Sequence, residues 1–247
     1  MHEWQNFTTV TIQEFVLSKN PFFIIPIGSI EQHGKHLPLG TDTIILEYIL
    51  NYDNEHITLP TIKIGNSSEH LDFGGTISLE CNYIENIIYQ YVRSIVKIKG
   101  QRILLFNSHG GNNNLLEIMC RKIRIKFDIL CITTTWYGLI PELLYNLFPE
   151  KEVNEGIHAG AIETSVMMHI NESLIKKENI TNNPLQCKIP LPLENSAIYF
   201  GWKIQDLNSS GAIGDSRLAT KKKGEEIIKN IRKRLNEFLL KLDNKTI

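Results

Sequence analysis

The chain has 247 residues, 42% of them hydrophobic and 21% charged, with 26 Lys and Arg against 27 Asp and Glu for a net charge of -1. That balance gives no electrostatic support to a generic nucleic-acid or anionic-membrane surface, and it suits one globular α/β domain over residues 1–247 with a full core. No apolar run approaches the ~18–20 residues of a membrane helix, and Met1-His2-Glu3-Trp4-Gln5-Asn6 lacks the basic-then-apolar pattern of a secretory signal.

In chain order, Phe22-Phe23-Ile24-Ile25-Pro26-Ile27 is a short apolar run ending at Gly28 and predicts a buried strand. Residues 43–52 carry apolar side chains at helical spacing, with Thr41 or Asp42 as the cap. Residues 57–64 alternate as a strand, with Pro60 marking an edge or a bend. A helical pattern over 84–99 stops at Gly100. Arg102-Ile103-Leu104-Leu105-Phe106-Asn107 is the clearest buried strand, followed by a helix over 114–127 and a β-branched strand over 129–135. Helices follow over 161–170 and 224–242. Residues 179–208 are irregular and hold Tyr199-Phe200 beside Trp202, a segment read as a surface excursion or a cover over substrate. Buried strands alternating with helices predict a three-layer α/β/α sandwich on a mostly parallel sheet. Cys81, Cys120, Cys131 and Cys187 form no Cys-x-x-Cys pair and read as reduced, mostly buried thiols of a cytoplasmic protein.

Three polar clusters follow predicted strands or open a helix, where α/β folds place their ligands. The first runs from Gly28 to Asp42 and contains Glu31, His33, His36 and Asp42. An extended backbone over residues 30–33 turns Glu31 and His33 to one side. Carboxylate and imidazole donors suit zinc, manganese or iron, and the two oxygens of Asp42 suit a bridge between ions. The second is Asn107-Ser108-His109-Gly110-Gly111-Asn112, with His109 at a strand end facing the first cluster. The third is His158-Ala159-Gly160-Ala161-Ile162-Glu163, where Glu163 is equally readable as ordinary acidity at a helix start. His36, His70, Trp136 and Tyr199 are candidate substrate contacts, Trp136 by stacking on a planar group.

On these residues the chain resembles the creatinine amidohydrolase (creatininase) family. The match is carried by residues 28–42, 69–76, 107–112, 158–165 and the C-terminal Gly211-Ala212-Ile213-Gly214-Asp215-Ser216. The resemblance implies two adjacent divalent ions (Zn, Mn or Fe) on Glu31, His33, Asp42, His109 and Glu163, with Asp42 bridging. It implies His158 as proton shuttle, a catalytic pair of His158 and Glu163, and a homo-oligomer such as a hexamer. The implied reaction is hydrolysis of a C–N amide bond in a small-molecule cyclic amide or formamide. The rival readings are a metallopeptidase that trims a modified precursor peptide from a biosynthetic cluster, and a metal-binding protein without catalysis. Creatininase itself has a ligand carboxylate where this chain has Gly111, and many relatives have a glutamate where it has Ala161. Both departures point away from creatinine as substrate.

Overall fold

The computed structural model describes residues 2–52, 55–187 and 200–242. Its central sheet has five strands, β1 (His2–Glu3), β2 (Phe22–Ile27), β3 (Ile57–Thr58), β4 (Arg102–Asn107) and β5 (Leu130–Thr135). They run in the order β1-β3-β2-β4-β5, and every pairing is parallel. The helices are α1 (Thr9–Lys19), α2 (Thr41–Leu50), α3 (Cys81–Lys97), α4 (Asn113–Phe127), α5 (Pro141–Leu147), α6 (Glu150–Glu155), α7 (Ala161–Asn171), α8 (Ile204–Leu207) and α9 (Lys221–Leu242).

Side-chain alternation along the two central strands divides the core in two. Phe22 and Ile24 of β2, with Leu104 and Phe106 of β4, pack against α2, α5, α7 and α9. Phe23, Ile25 and Ile27 of β2, with Ile103 and Leu105 of β4, pack against α1, α3 and α4. Both strands are apolar on both faces because helices cover both faces. The spacing Ile84, Ile88, Val92, Ile95 gives α3 a single buried stripe, which is why it lies flat on the sheet. The three-layer α/β/α expectation therefore holds.

Several local expectations need correction. The strand expected over residues 57–64 stops at Thr58, and Ile62 returns for one parallel bridge to Ile27; Pro60 between them cannot donate to a ladder. Neither Thr41 nor Asp42 caps α2; the cap position is Gly40, and Asp42 lies inside the first turn. Gly100 is required for space rather than for its dihedral: a Cβ there would lie 2.5 Å from the Phe23 ring. Lys99 takes the left-handed turn instead, at φ 64°. Helices α1, α5 and α6 were not expected at all. Cys81 is exposed and Cys120, Cys131 and Cys187 are half-buried, so the thiols are less buried than anticipated. Among the described residues no helix is long and apolar enough to cross a membrane.

The register aligns Ile27, Asn107 and Thr135 at the carboxyl ends of β2, β4 and β5. The chain segments that begin at Gly28, Ser108 and Trp136 therefore emerge side by side at one edge. A small antiparallel pair, β6 (Asn182–Asn183) with β7 (Gly214–Asp215), lies apart from the main sheet, and a bridge between His158 and Ile213 ties the third polar cluster to that pair's approach.

Candidate metal centre

Glu31 lies four residues beyond the end of β2. Its backbone N–H bonds to Leu39 O at 2.9 Å, which folds residues 31–39 into a closed loop. A Cβ on Gly28 would stand 2.5 Å from Thr43 Oγ1, so only glycine lets the start of α2 close over the strand end. That closure carries Asp42 inward from the first turn of α2, where the helix dipole favours its charge. The Ser29 hydroxyl donates to Asp42 Oδ2. His109 is held by Asn107, whose Oδ1 accepts its N–H at 3.2 Å and whose Nδ2 donates to its carbonyl at 2.6 Å. Glu163, in the first turn of α7, accepts the Ala159 N–H on Oε2 at 2.6 Å.

Two acid–imidazole triads result, Glu31/Asp42/His109 and His33/Asp42/Glu163, each with ligand atoms within 4.8 Å of one another. Asp42 belongs to both. His109 Nδ1 lies 3.0 Å from Glu31 Oε2 and 3.7 Å from Asp42 Oδ2. His33 Nε2 lies 3.7 Å from Asp42 Oδ2 and 3.9 Å from Glu163 Oε1. The outer nitrogens are anchored: His33 Nδ1–H donates to Glu31 O at 3.1 Å and His109 Nε2–H to Asn66 O at 2.8 Å. Each ring thus turns its other nitrogen toward the carboxylates, the orientation a metal-binding imidazole needs. A third set, Glu31/His33/His158, also satisfies the spacing. His158, however, lies 3.7 Å from Glu31 Oε1 through Nδ1 while Nε2–H donates to Gln32 O at 2.7 Å.

Electrostatics point the same way. Burial pushes the Asp42 carboxyl well above its ordinary range, and the nearby Glu31 charge adds to the push. Burial opposes the charge on Glu31 as well, but His109 and His33 outweigh it and hold that carboxyl well below its usual value. Burial also lowers His33 and His158, which favours neutral rings. Burial resists charging His109, yet Glu31, Glu69 and Asp42 raise it overall. Three carboxylates crowded in a buried space are relieved by a divalent cation. Two of the atoms facing that space, Glu31 Oε1 and His33 Nε2, have no hydrogen-bond partner among the described residues. Oxygen and imidazole donors with orphaned lone pairs fit zinc, manganese or iron.

The cluster forms the floor of a cavity of about 900 Å³. Trp136 and His70 line it, as expected. His70 is oriented by Gln32, whose amide donates to His70 Nδ1 at 2.8 Å and to Gly211 O at 2.6 Å. Burial lowers the His70 pKa to about 3. His36 is not among the lining residues: it is buried, and because the Thr164 hydroxyl donates to Gly160 O at 2.6 Å, His36 Nε2–H donates to Thr164 Oγ1 at 3.0 Å. It ties the first loop to α7 and does not reach the cavity. Tyr199 lies outside the described residues. Phe200 and Trp202 pack in a small cluster around Ile204, Leu207 and Ile213, and Trp202 lines the cavity.

Sequence reasoning gave no role to Ser67, which donates to Glu31 Oε2 at 2.5 Å, nor to Glu69, whose Oε1 lies 3.4 Å from His109 Nε2. A Cβ at Gly111 would meet His109 Nε2 at 2.4 Å and Glu69 Oε1 at 2.5 Å, so a carboxylate side chain has no room at that position. Ala161 is buried, and its N–H donates to Glu152 Oε1 at 2.6 Å.

Comparison with known proteins gives the family and the fold. A family model described as creatinine amidohydrolase matches residues 5–239. The chain is 29% identical over 217 residues to the mycofactocin precursor peptide peptidase of Mycolicibacterium smegmatis, covering 84% of this chain and 79% of the relative. It is 22% identical to the creatinine amidohydrolase of Pseudomonas putida, covering 83% of each. A solved manganese creatininase superposes with a TM-score of 0.79 at 18% identity, covering 98% of this chain and 99% of that one, and so shares the fold.

Proposed function

We propose, from the premise that this chain belongs to the creatinine amidohydrolase family, that residues 1–247 act as one metal-dependent hydrolase of a carbon–nitrogen amide bond. The observation that carries the reading is Asp42, shared by two triads, one buried and one nearly so, beside Glu31 Oε1 and His33 Nε2, which have no hydrogen-bond partner among the described residues. Glu31, Asp42 and His109 would hold one ion; His33, Asp42 and Glu163 the other. An ion held there would lower the pKa of a bound water toward neutrality and would polarise the substrate carbonyl.

The chain's own groups do the rest. Glu31, Asp42 and Glu163 set the negative field that holds the cations. His158 keeps its Nε2–H on Gln32 O and presents Nδ1 to the site. Burial keeps that imidazole neutral, so Nδ1 can take a proton from the attacking water and return it to the departing nitrogen. Trp136, Trp202 and Ile162 supply the apolar wall that excludes bulk water and receives the substrate.

A small amide is the first reading of the substrate. Peptide-bond cleavage in a modified precursor peptide is the second, and two observations favour it: the 29% identity to a peptide peptidase and the roomy cavity. Both use the same ions and the same proton carrier. The reading extends to a cytoplasmic homo-oligomer, such as a hexamer, without nucleic-acid or membrane partners; light scattering after size exclusion measures the subunit number. The test of the site is Asp42→Ala. The substituted protein is expected to purify with both ions depleted and hydrolysis abolished; full retention of metal removes the bridging role.

A further inference from the structure

One buried carboxylate has no part in the chemistry above. Glu152, on α6, is 5% exposed and lies outside both triads. Its Oε1 accepts the Ala161 N–H at 2.6 Å and its Oε2 accepts the Asp215 N–H at 2.7 Å. Ala161 is the first residue of α7, whose N-cap position is Gly160 and supplies no side-chain cap. Glu152 therefore satisfies one of the orphan amides of that helix from a different element, with its charge at the positive end of the helix dipole. Its second bond joins the same carboxylate to β7.

The surroundings are built for it. A Cβ at Gly156 or Gly160 would lie 2.6 Å from Glu152 Oε1, and one at Gly214 would lie 2.8 Å away. Three glycines, two from the connection between α6 and α7 and one from β7, thus clear the volume that this one carboxylate fills. Two of them flank residues 157–159, which contain His158 and the strained Ala159, at φ 53°. Glu163 is two residues beyond Ala161 and reaches back to the Ala159 N–H. Two carboxylates thus hold this stretch, Glu163 at the Ala159 N–H and Glu152 at the Ala161 N–H.

We propose that Glu152 is a positioning residue of the metal centre: it fixes the start of α7, and through it Glu163 and His158, against His33 and Asp42. This rests on the two-triad reading above. The triad Glu31/Asp42/His109 draws nothing from α7. Loss of the clamp should therefore weaken the ion on His33/Asp42/Glu163 and spare the other.

The experiment is a zinc titration by calorimetry of metal-stripped wild type, Glu152→Gln, Glu152→Asp and Glu163→Gln, with Tm read on each. Glu152→Gln puts an amide NH2 against one of two backbone N–H donors and should raise the Kd of one ion by about 10–100-fold, the size usual for groups that orient metal ligands. The other ion should stay within about threefold of wild type, and Glu152→Asp should recover part of the loss. Gly160→Ala serves if Glu152→Gln does not fold, because its methyl group displaces the carboxylate while leaving it charged; it should weaken the same ion. Equal weakening of both ions in step with a falling Tm, or no change in either, overturns the proposal. If Glu163→Gln weakens neither ion, the two-triad reading fails and the role of Glu152 fails with it.

Discussion

The two triads share Asp42 but are not built alike. Glu31, Asp42 and His109 are all buried, and each has a dedicated neighbour: Ser67 on Glu31, Ser29 on Asp42, Asn66 on His109. Ser29 follows β2 by two residues, and Asn66 and Ser67 are neighbours in the segment between β3 and α3. The other triad takes Glu163 from the first turn of α7, and this residue is only partly buried, at 17%. Its geometry depends on where α7 starts, and that start is set by contacts with Glu152, His36 and Ala159. The first triad thus draws only on α2 and the segments after β2 and β4, whereas the second also needs the docked helix α7. The lesson is that equal ligand counts do not give equal robustness: a site inherits the stability of the element that carries it.

Three substitutions sharpen or break this contrast, in falling order of expected effect. His158→Gln tests the chemistry carried on the α7 side. It is expected to keep both ions by elemental analysis and to lose roughly 10²–10⁴-fold in kcat, the range for removal of a general acid–base; unchanged turnover with bound metal removes the proton-carrier role.

Acid is the next lever. Burial lowers the His36 pKa to about 4 from the ordinary 6.5, so the neutral ring is the folded form and the unfolded chain binds the proton first. Stability contributed by His36 is complete above about pH 6.5 and declines as pH falls toward 4, by on the order of 3 kcal/mol. Denaturant midpoints of the metal-free protein across that window should drop, and His36→Gln should flatten part of the drop. An identical slope in both proteins contradicts the assignment of His36 as the tie between the first loop and α7.

Ser67→Ala is the smallest perturbation. It deletes the 2.5 Å donor to Glu31 on the sheet side and should weaken only the Glu31/Asp42/His109 ion, by about tenfold. Weakening of the other ion instead would invert the contrast.

Legibility in the sequence follows the same division. The strands at 22–27 and 102–107 could be read because unbroken apolar runs bounded by Gly28 and by Ser108-His109 are what a strand covered on both faces requires. Glu31, His33 and Asp42 stood out because three ligand types share one short loop. Helix α1 was missed because Thr9–Lys19 buries only Ile12 and Val16, leaving Val10 and Leu17 exposed and the helical period blurred. Helix α6 is six residues long with three glutamates and has no apolar stripe to read. Ser67 and Glu152 act through single long-range contacts, and no local spacing encodes a partner 36 or 63 residues away. The surrounding glycines, Gly156, Gly160 and Gly214, were the available trace of Glu152, and they acquire meaning only once their segments are seen to meet.

The central claim is that two divalent ions meet on Asp42. Anomalous diffraction from crystals of the manganese- or zinc-loaded protein tests it most directly. The account predicts two peaks, each within ligand distance of an Asp42 oxygen, one also touching Glu31 and His109 and the other His33 and Glu163. A single peak away from Asp42, or two peaks that share no carboxylate, would contradict it.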